Sequence, residues 1–127
     1  MAIKYVLTQR GNPGNPEAPK KFYAQAKSTG DITLKKLSKE IAENSSTVSD
    51  TDVLAVLNDL TKFLNRHLSE GQIVRFGDFG TFQISITSEG AETEEKFHQA
   101  MIDGVKVSFR PGIDIREMIN NLKFEKE

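Results

Sequence analysis

The chain contains no cysteine. That absence excludes a disulfide, a thiolate zinc site and a cysteine nucleophile, and it suits a reducing compartment. Histidine is nearly absent too: only His67 and His98 occur. Neither has a second imidazole or a carboxylate at metal-ligand spacing in a convincing frame, so both read as ordinary polar positions. No run of eighteen apolar residues is present, and no transmembrane helix is expected. The opening Met1-Ala2-Ile3-Lys4-Tyr5-Val6-Leu7 lacks the apolar stretch and small-residue cleavage site of a secretory signal. A cytoplasmic protein is the expectation. Gly11-Asn12-Pro13-Gly14 is not a phosphate loop, because the Gly-Lys-Ser/Thr end and the following helix are missing. Glu92, Glu94 and Glu95 read as a solvated charged loop rather than as acid/base or metal groups. The sequence therefore offers no catalytic, cofactor-binding or metal residues, and no small-molecule substrate or membrane partner is expected.

An excess of positive charge is also lacking. The 17 Lys+Arg and 18 Asp+Glu leave a net charge of −1, which argues against a strongly basic nucleic-acid binder. The charge is unevenly spread. Residues 1–40 sum to +5, residues 41–70 to −3, residues 83–103 to −4 and residues 104–127 to +1. Binding depends on local rather than total charge.

What is present is patterned. Of the 127 residues 37% are apolar, enough for one modest core that a second copy could complete. Residues 3–10 are β-branched and aromatic and read as a strand. A Gly/Asn/Pro break follows at 11–16, and Phe22, Ala24 and Ala26 alternate in a second strand over 20–28. Leu34, Leu37 and Ile41 mark a first helix from Thr33 to about Asn44, and residues 44–47 are turn-like. Ser49 with Asp52 resembles a capping box. The helix it opens carries Val53, Val56, Leu57, Leu60, Phe63, Leu64 and Leu68, and Gly71 suits its C-terminal stop. The period then changes to two: Ile73–Phe76, the turn Gly77–Gly80, and a strand in which Phe82, Ile84 and Ile86 alternate with Gln83, Ser85 and Thr87. Residues 88–103 are acidic. Val105, Val107 and Phe109 alternate in a third strand ended by Pro111-Gly112, and a last helix carries Ile115, Met118, Ile119 and Leu122.

Two segments in this order carry a resemblance. Gly71-Gln72-Ile73-Val74-Arg75-Phe76-Gly77-Asp78-Phe79-Gly80-Thr81-Phe82 follows a helical hairpin, and Phe109-Arg110-Pro111-Gly112 precedes the last helix. Over about residues 33–123 the chain resembles the HU/IHF family of bacterial DNA-binding proteins. The segment Met1–Gly30, with Gly-Asn-Pro-Gly and Lys-Lys-Phe-Tyr, is similar to the extension of an HU-related subfamily. The resemblance implies an α+β fold: a helical hairpin, then a three-stranded antiparallel sheet with an extended arm, then a C-terminal helix. Residues 1–30 would add an N-terminal β-hairpin extension, residues 31–127 would be the HU-like domain, and the assembly would be an intertwined homodimer in the nucleoid.

The pattern departs from the family at the arm. Ser88-Glu89-Gly90-Ala91-Glu92-Thr93-Glu94-Glu95-Lys96-Phe97-His98-Gln99 has four glutamates, no arginine and no proline. The family's arm is basic, enters the minor groove and wedges a proline between base steps; four carboxylates are repelled by that negative channel. Ile113 also replaces the lysine usual after Pro-Gly. The candidate DNA contacts are Arg75, Lys106 and Arg110 on the strands, Thr81, and Lys35, Lys36 and Lys39 off the apolar face of the first helix. To these are added Gly77 and Gly80, whose positive φ would uncover backbone amides for phosphates, and the Pro111-Gly112 turn. Two functions stay open. One is non-specific, architectural binding of duplex DNA through its phosphates, with DNA condensation as its consequence. The other is a dimeric scaffold or protein-interaction module on the same fold.

Overall fold

The computed structural model describes residues 1–45 and 47–127; Ser46, within the expected turn at 44–47, lies outside the described residues. Among the described residues the chain forms a mixed α+β fold with three α-helices and two three-stranded sheets. Its residues fall into two compact units, Met1–Thr33 with Met118–Glu127, and Leu34–Glu117.

The first unit is built on β1 (Ile3–Arg10) and β2 (Lys21–Ala26), paired antiparallel from Tyr5–Ala26 to Arg10–Lys21. The expected hairpin is therefore present. Its third strand has no sequence signature: Phe124–Lys126 pairs parallel with β1, Ile3 beside Phe124 and Tyr5 beside Lys126. The strand order places β1 in the centre. The amide of Ile3 donates to the Lys123 carbonyl at 2.7 Å and that of Glu127 to the Tyr5 carbonyl at 3.0 Å, bracketing the parallel pair.

The second unit begins with α1 (Leu34–Asn44) and α2 (Asp50–Ser69). The Ser49 hydroxyl accepts the Asp52 amide at 3.1 Å, while Asp50 and Asp52 place negative charge in the first turn. Gly71 ends α2 at φ 79°, a left-handed stop that a side chain would resist, and the Gln72 amide reaches back to the His67 carbonyl at 3.1 Å. The His67 ring bonds the Gln72 side chain at 2.6 Å. Then come β3 (Val74–Phe76), β4 (Gly80–Ser88) and β5 (Ile102–Pro111), an antiparallel sheet with β4 in the middle.

The last helix, α3 (Ile113–Asn120), is shorter than expected. Leu122 lies beyond it, in a turn whose amide reaches the Ile119 carbonyl at 3.3 Å, and the chain then enters the third strand of the first sheet, β6 (Phe124–Lys126). Among the described residues Val53 is the one buried apolar side chain, and no helix is long and apolar enough to cross a membrane.

Candidate nucleic-acid interface

The second sheet sets three expected contact residues in one row. Arg75 is in register with Thr81, and Thr81 with Arg110. Residues in register share a face, so two guanidinium groups flank one threonine. The next pairs on that face are Gln83 with Ser108 and Ser85 with Lys106. A cavity of about 410 Å³ opens there, lined by Arg75, Thr81, Gln83, Ser108 and Arg110 among others. Arg75, Lys106 and Arg110 are exposed, and none has a carboxylate partner among the described residues. From Arg75 to Lys106 the face carries no acid. Asp103, further toward the arm, accepts the Thr87 hydroxyl at 3.0 Å.

The opposite face is apolar: Val74, Phe82, Ile84 and Ile86 alternate with the polar row, as do Val105, Val107 and Phe109. Aromatic rings link it to the turn. Phe76 meets Phe79 edge-on at 5.9 Å, Phe79 meets Phe109 at 5.6 Å, and Phe109 meets Phe82 at 4.9 Å. Much of this face is open, with Ile86 58%, Val105 67% and Val107 57% exposed.

The glycines of the turn divide by role. Gly77 takes φ 56° and is exposed, as its expected part in presenting an amide requires. Gly80 does not: it has no positive φ and is buried, and a Cβ there would strike the Phe109 ring and lie 2.7 Å from the Arg110 carbonyl. Its lack of a side chain serves packing, which a sequence cannot distinguish from a need for unusual φ. Gly112 is constrained likewise. Its Cβ would meet the Asp78 carbonyl, and its amide donates to Phe79 at 2.8 Å rather than facing solvent. Pro111, in register with Gly80, ends β5, and the Asp114 amide donates to Asp78 at 3.0 Å, seating α3 on the turn.

Lys35, Lys36 and Lys39 lie exposed on α1, on a different element from the strand row. Between them Ser38 is 1% exposed, its hydroxyl donating to the Lys35 carbonyl at 2.6 Å.

The acidic insert holds structure that the sequence did not announce. Thr93 caps a 3₁₀ turn at Glu94–Lys96, a second turn spans Gln99–Met101, and the Glu89 amide donates to Met101 at 2.9 Å. Lys96, the sole cation of residues 88–103, is 3.3 Å from Glu92. An i,i+4 Glu–Lys spacing on either side of a threonine cap was the available signal. Among the described residues no three His, Cys, Asp or Glu side chains gather where a metal would sit.

The hairpin of helices, the three-stranded sheet with its long β4–β5 ribbon and the helix after Pro111-Gly112 define an HU-like protein. The chain belongs to the family described as "HU domain fused to wHTH, Ig, or Glycine-rich motif", which matches residues 1–126. Among solved structures it is similar to a "Putative bacterial DNA binding protein" from Bacteroides vulgatus ATCC 8482, with TM-score 0.67 and 15% identity over 98% of this chain and 48% of that one. The chain thus spans about half the length of that relative. It is also similar to HU of Anabaena, solved as a cocrystal with DNA, with TM-score 0.54 and 19% identity over 71% of this chain and 99% of that one. No curated protein matches it significantly.

Proposed function

We propose that this chain binds duplex DNA through the phosphate backbone, with little sequence preference, as a homodimer. The observation that carries this reading is the row Arg75–Thr81–Arg110, continued by Lys106 on a face without acids. Two guanidinium groups beside a hydroxyl suit phosphate oxygens. Gly77 adds an exposed turn at the end of β3, while Gly80, Pro111 and Gly112 act by shaping that turn. Lys35, Lys36 and Lys39 on α1 add further exposed cations. The similarity to an HU solved on DNA is in keeping with this function.

The surface area supports the dimer. Two separately folded units of these sizes would expose about 8,000 Å², whereas the chain exposes 10883 Å². The excess includes the apolar side of the β4–β5 ribbon and Val56 and Phe63 of α2, 65% and 53% exposed. A second copy of the same chain can cover them.

The test is anisotropy with a labelled 30-base-pair duplex across a salt series. A dimer presents Arg75, Lys106 and Arg110 twice, so the log–log slope should be about −5 and fall to about −2 in Arg75→Ala/Arg110→Ala. Absence of binding at low salt by an intact dimer would sink the reading. It would favour the scaffold alternative, for which the specific observation is the arm: Lys96 is paired internally, leaving Glu89, Glu94 and Glu95 uncompensated.

A further inference from the structure

The charge of the chain is divided between its two units. The HU-like unit, Leu34–Glu117, holds ten Lys/Arg against fourteen Asp/Glu. The first unit holds seven against four, a net of +3. Two of its acids lie away from the hairpin loop, Glu127 paired with Lys27 at 2.6 Å and Glu125 in register with Lys4, and Glu17 is the one acid within the loop, against Arg10, Lys20 and Lys21 at its ends. At the loop end Arg10, Lys20 and Lys21 have no carboxylate partner among the described residues.

An aromatic ring lies among these cations. Arg10 is in register with Lys21 and Thr8 with Tyr23, which puts Arg10, Lys21 and Tyr23 on one face of the first sheet. The Arg10 guanidinium lies over the Tyr23 ring, 5.8 Å from its centroid, and Tyr23 remains 46% exposed. Beside the ring is a cavity of about 370 Å³, walled by Asn12, Pro13, Pro19, Lys21 and Tyr23, within the range of small-ligand sites. Its wall is held in shape. The Asn12 side chain accepts the Gly14 amide at 2.9 Å, and the Asn15 amide donates back to the Asn12 carbonyl at 3.0 Å.

We infer that this end of the first sheet binds a single-stranded stretch of nucleic acid, with one base against Tyr23 and Arg10, Lys20 and Lys21 along the phosphates. A base inside a duplex is stacked on both sides and cannot lie on the ring, so the aromatic platform selects unpaired bases. Guanidinium planes also stack on bases, and Arg10 enlarges the platform rather than blocking it. The site shares no residue with the strand row of the HU-like unit, and it stands or falls separately from the duplex reading.

The test uses the full chain and a fluorescein-labelled (dT)12 oligonucleotide, read by anisotropy at low salt. Tyr23→Ala should weaken binding at least about fivefold and Tyr23→Phe should retain it. Arg10→Ala/Lys21→Ala should flatten the salt dependence by roughly 1.4 log units per log unit of salt. Duplex affinity should stay unchanged in all three, which also reports that they fold. A second readout does not depend on an alanine variant. The chain has no tryptophan and two tyrosines, so in Tyr5→Phe all intrinsic emission comes from Tyr23, and stacking of a thymine should quench it. The inference is overturned if Tyr23→Ala stays within twofold of the parent, or if the Tyr5→Phe emission is unmoved at saturating oligonucleotide. It is also overturned if a poly-glutamate of equal charge displaces the oligonucleotide equally well.

Discussion

The amide of Gly112 donates to the carbonyl oxygen of Phe79 at 2.8 Å. This bond, with Asp114 on Asp78, ties the start of α3 to the turn between β3 and β4, and there is no room for a side chain at the joint. Gly112→Ala and Gly80→Ala should each cost about 1–3 kcal/mol through overpacking. Gly77→Ala meets open space and should cost about 1–2 kcal/mol through its left-handed backbone alone. Urea midpoints measure all three. A stabilising Gly112→Ala would contradict the packing at this turn.

The apolar side of the β4–β5 ribbon gives a separate prediction. A partner that covers Ile86 and Val107 contributes about 1.5–3 kcal/mol per side chain fully buried. Ile86→Asp/Val107→Asp should therefore shift sedimentation equilibrium at micromolar concentration from dimer to monomer. Both positions are exposed in the single chain, so far-UV circular dichroism should change little. An unshifted dimer would place its interface elsewhere.

Ser49→Ala removes the acceptor for the Asp52 amide. The expected loss is about 1 kcal/mol in thermal or urea unfolding, and Ser49→Asp should keep most of the stability.

Ending the chain at Lys123 deletes β6 and exposes one edge of β1. Limited proteolysis should then cut within residues 1–33 faster than in the full chain. Equal cleavage rates would show that the β1–β2 hairpin stands without its parallel strand.

How far the fold could be read varied with the range of the forces behind each element. Ser49, Asp52 and Gly71 bound α2 through bonds within a few residues, and the alternation at Phe82–Ile86 and Val105–Phe109 follows from burying one face of a sheet. Those elements were legible. Phe124–Lys126 was not, because three residues have no period and their partner, β1, lies at the opposite end of the sequence. At the interface, Arg75 and Arg110 could be placed on strands, but only the register showed that Thr81 stands between them. From sequence Gly80 suggests a positive φ and an uncovered amide, since the Phe109 ring that forbids a side chain there is 29 positions away.

The parallel pairing of β1 with β6 has a mechanical consequence. Strands that run the same way, pulled from the start of one and the end of the other, slide against each other, so their hydrogen bonds carry the load together rather than one at a time. Tension between the two chain ends is thus borne first by the ladder from Ile3–Phe124 to Tyr5–Lys126. The HU-like unit lies between those strands in the sequence and comes under tension only after that ladder has sheared.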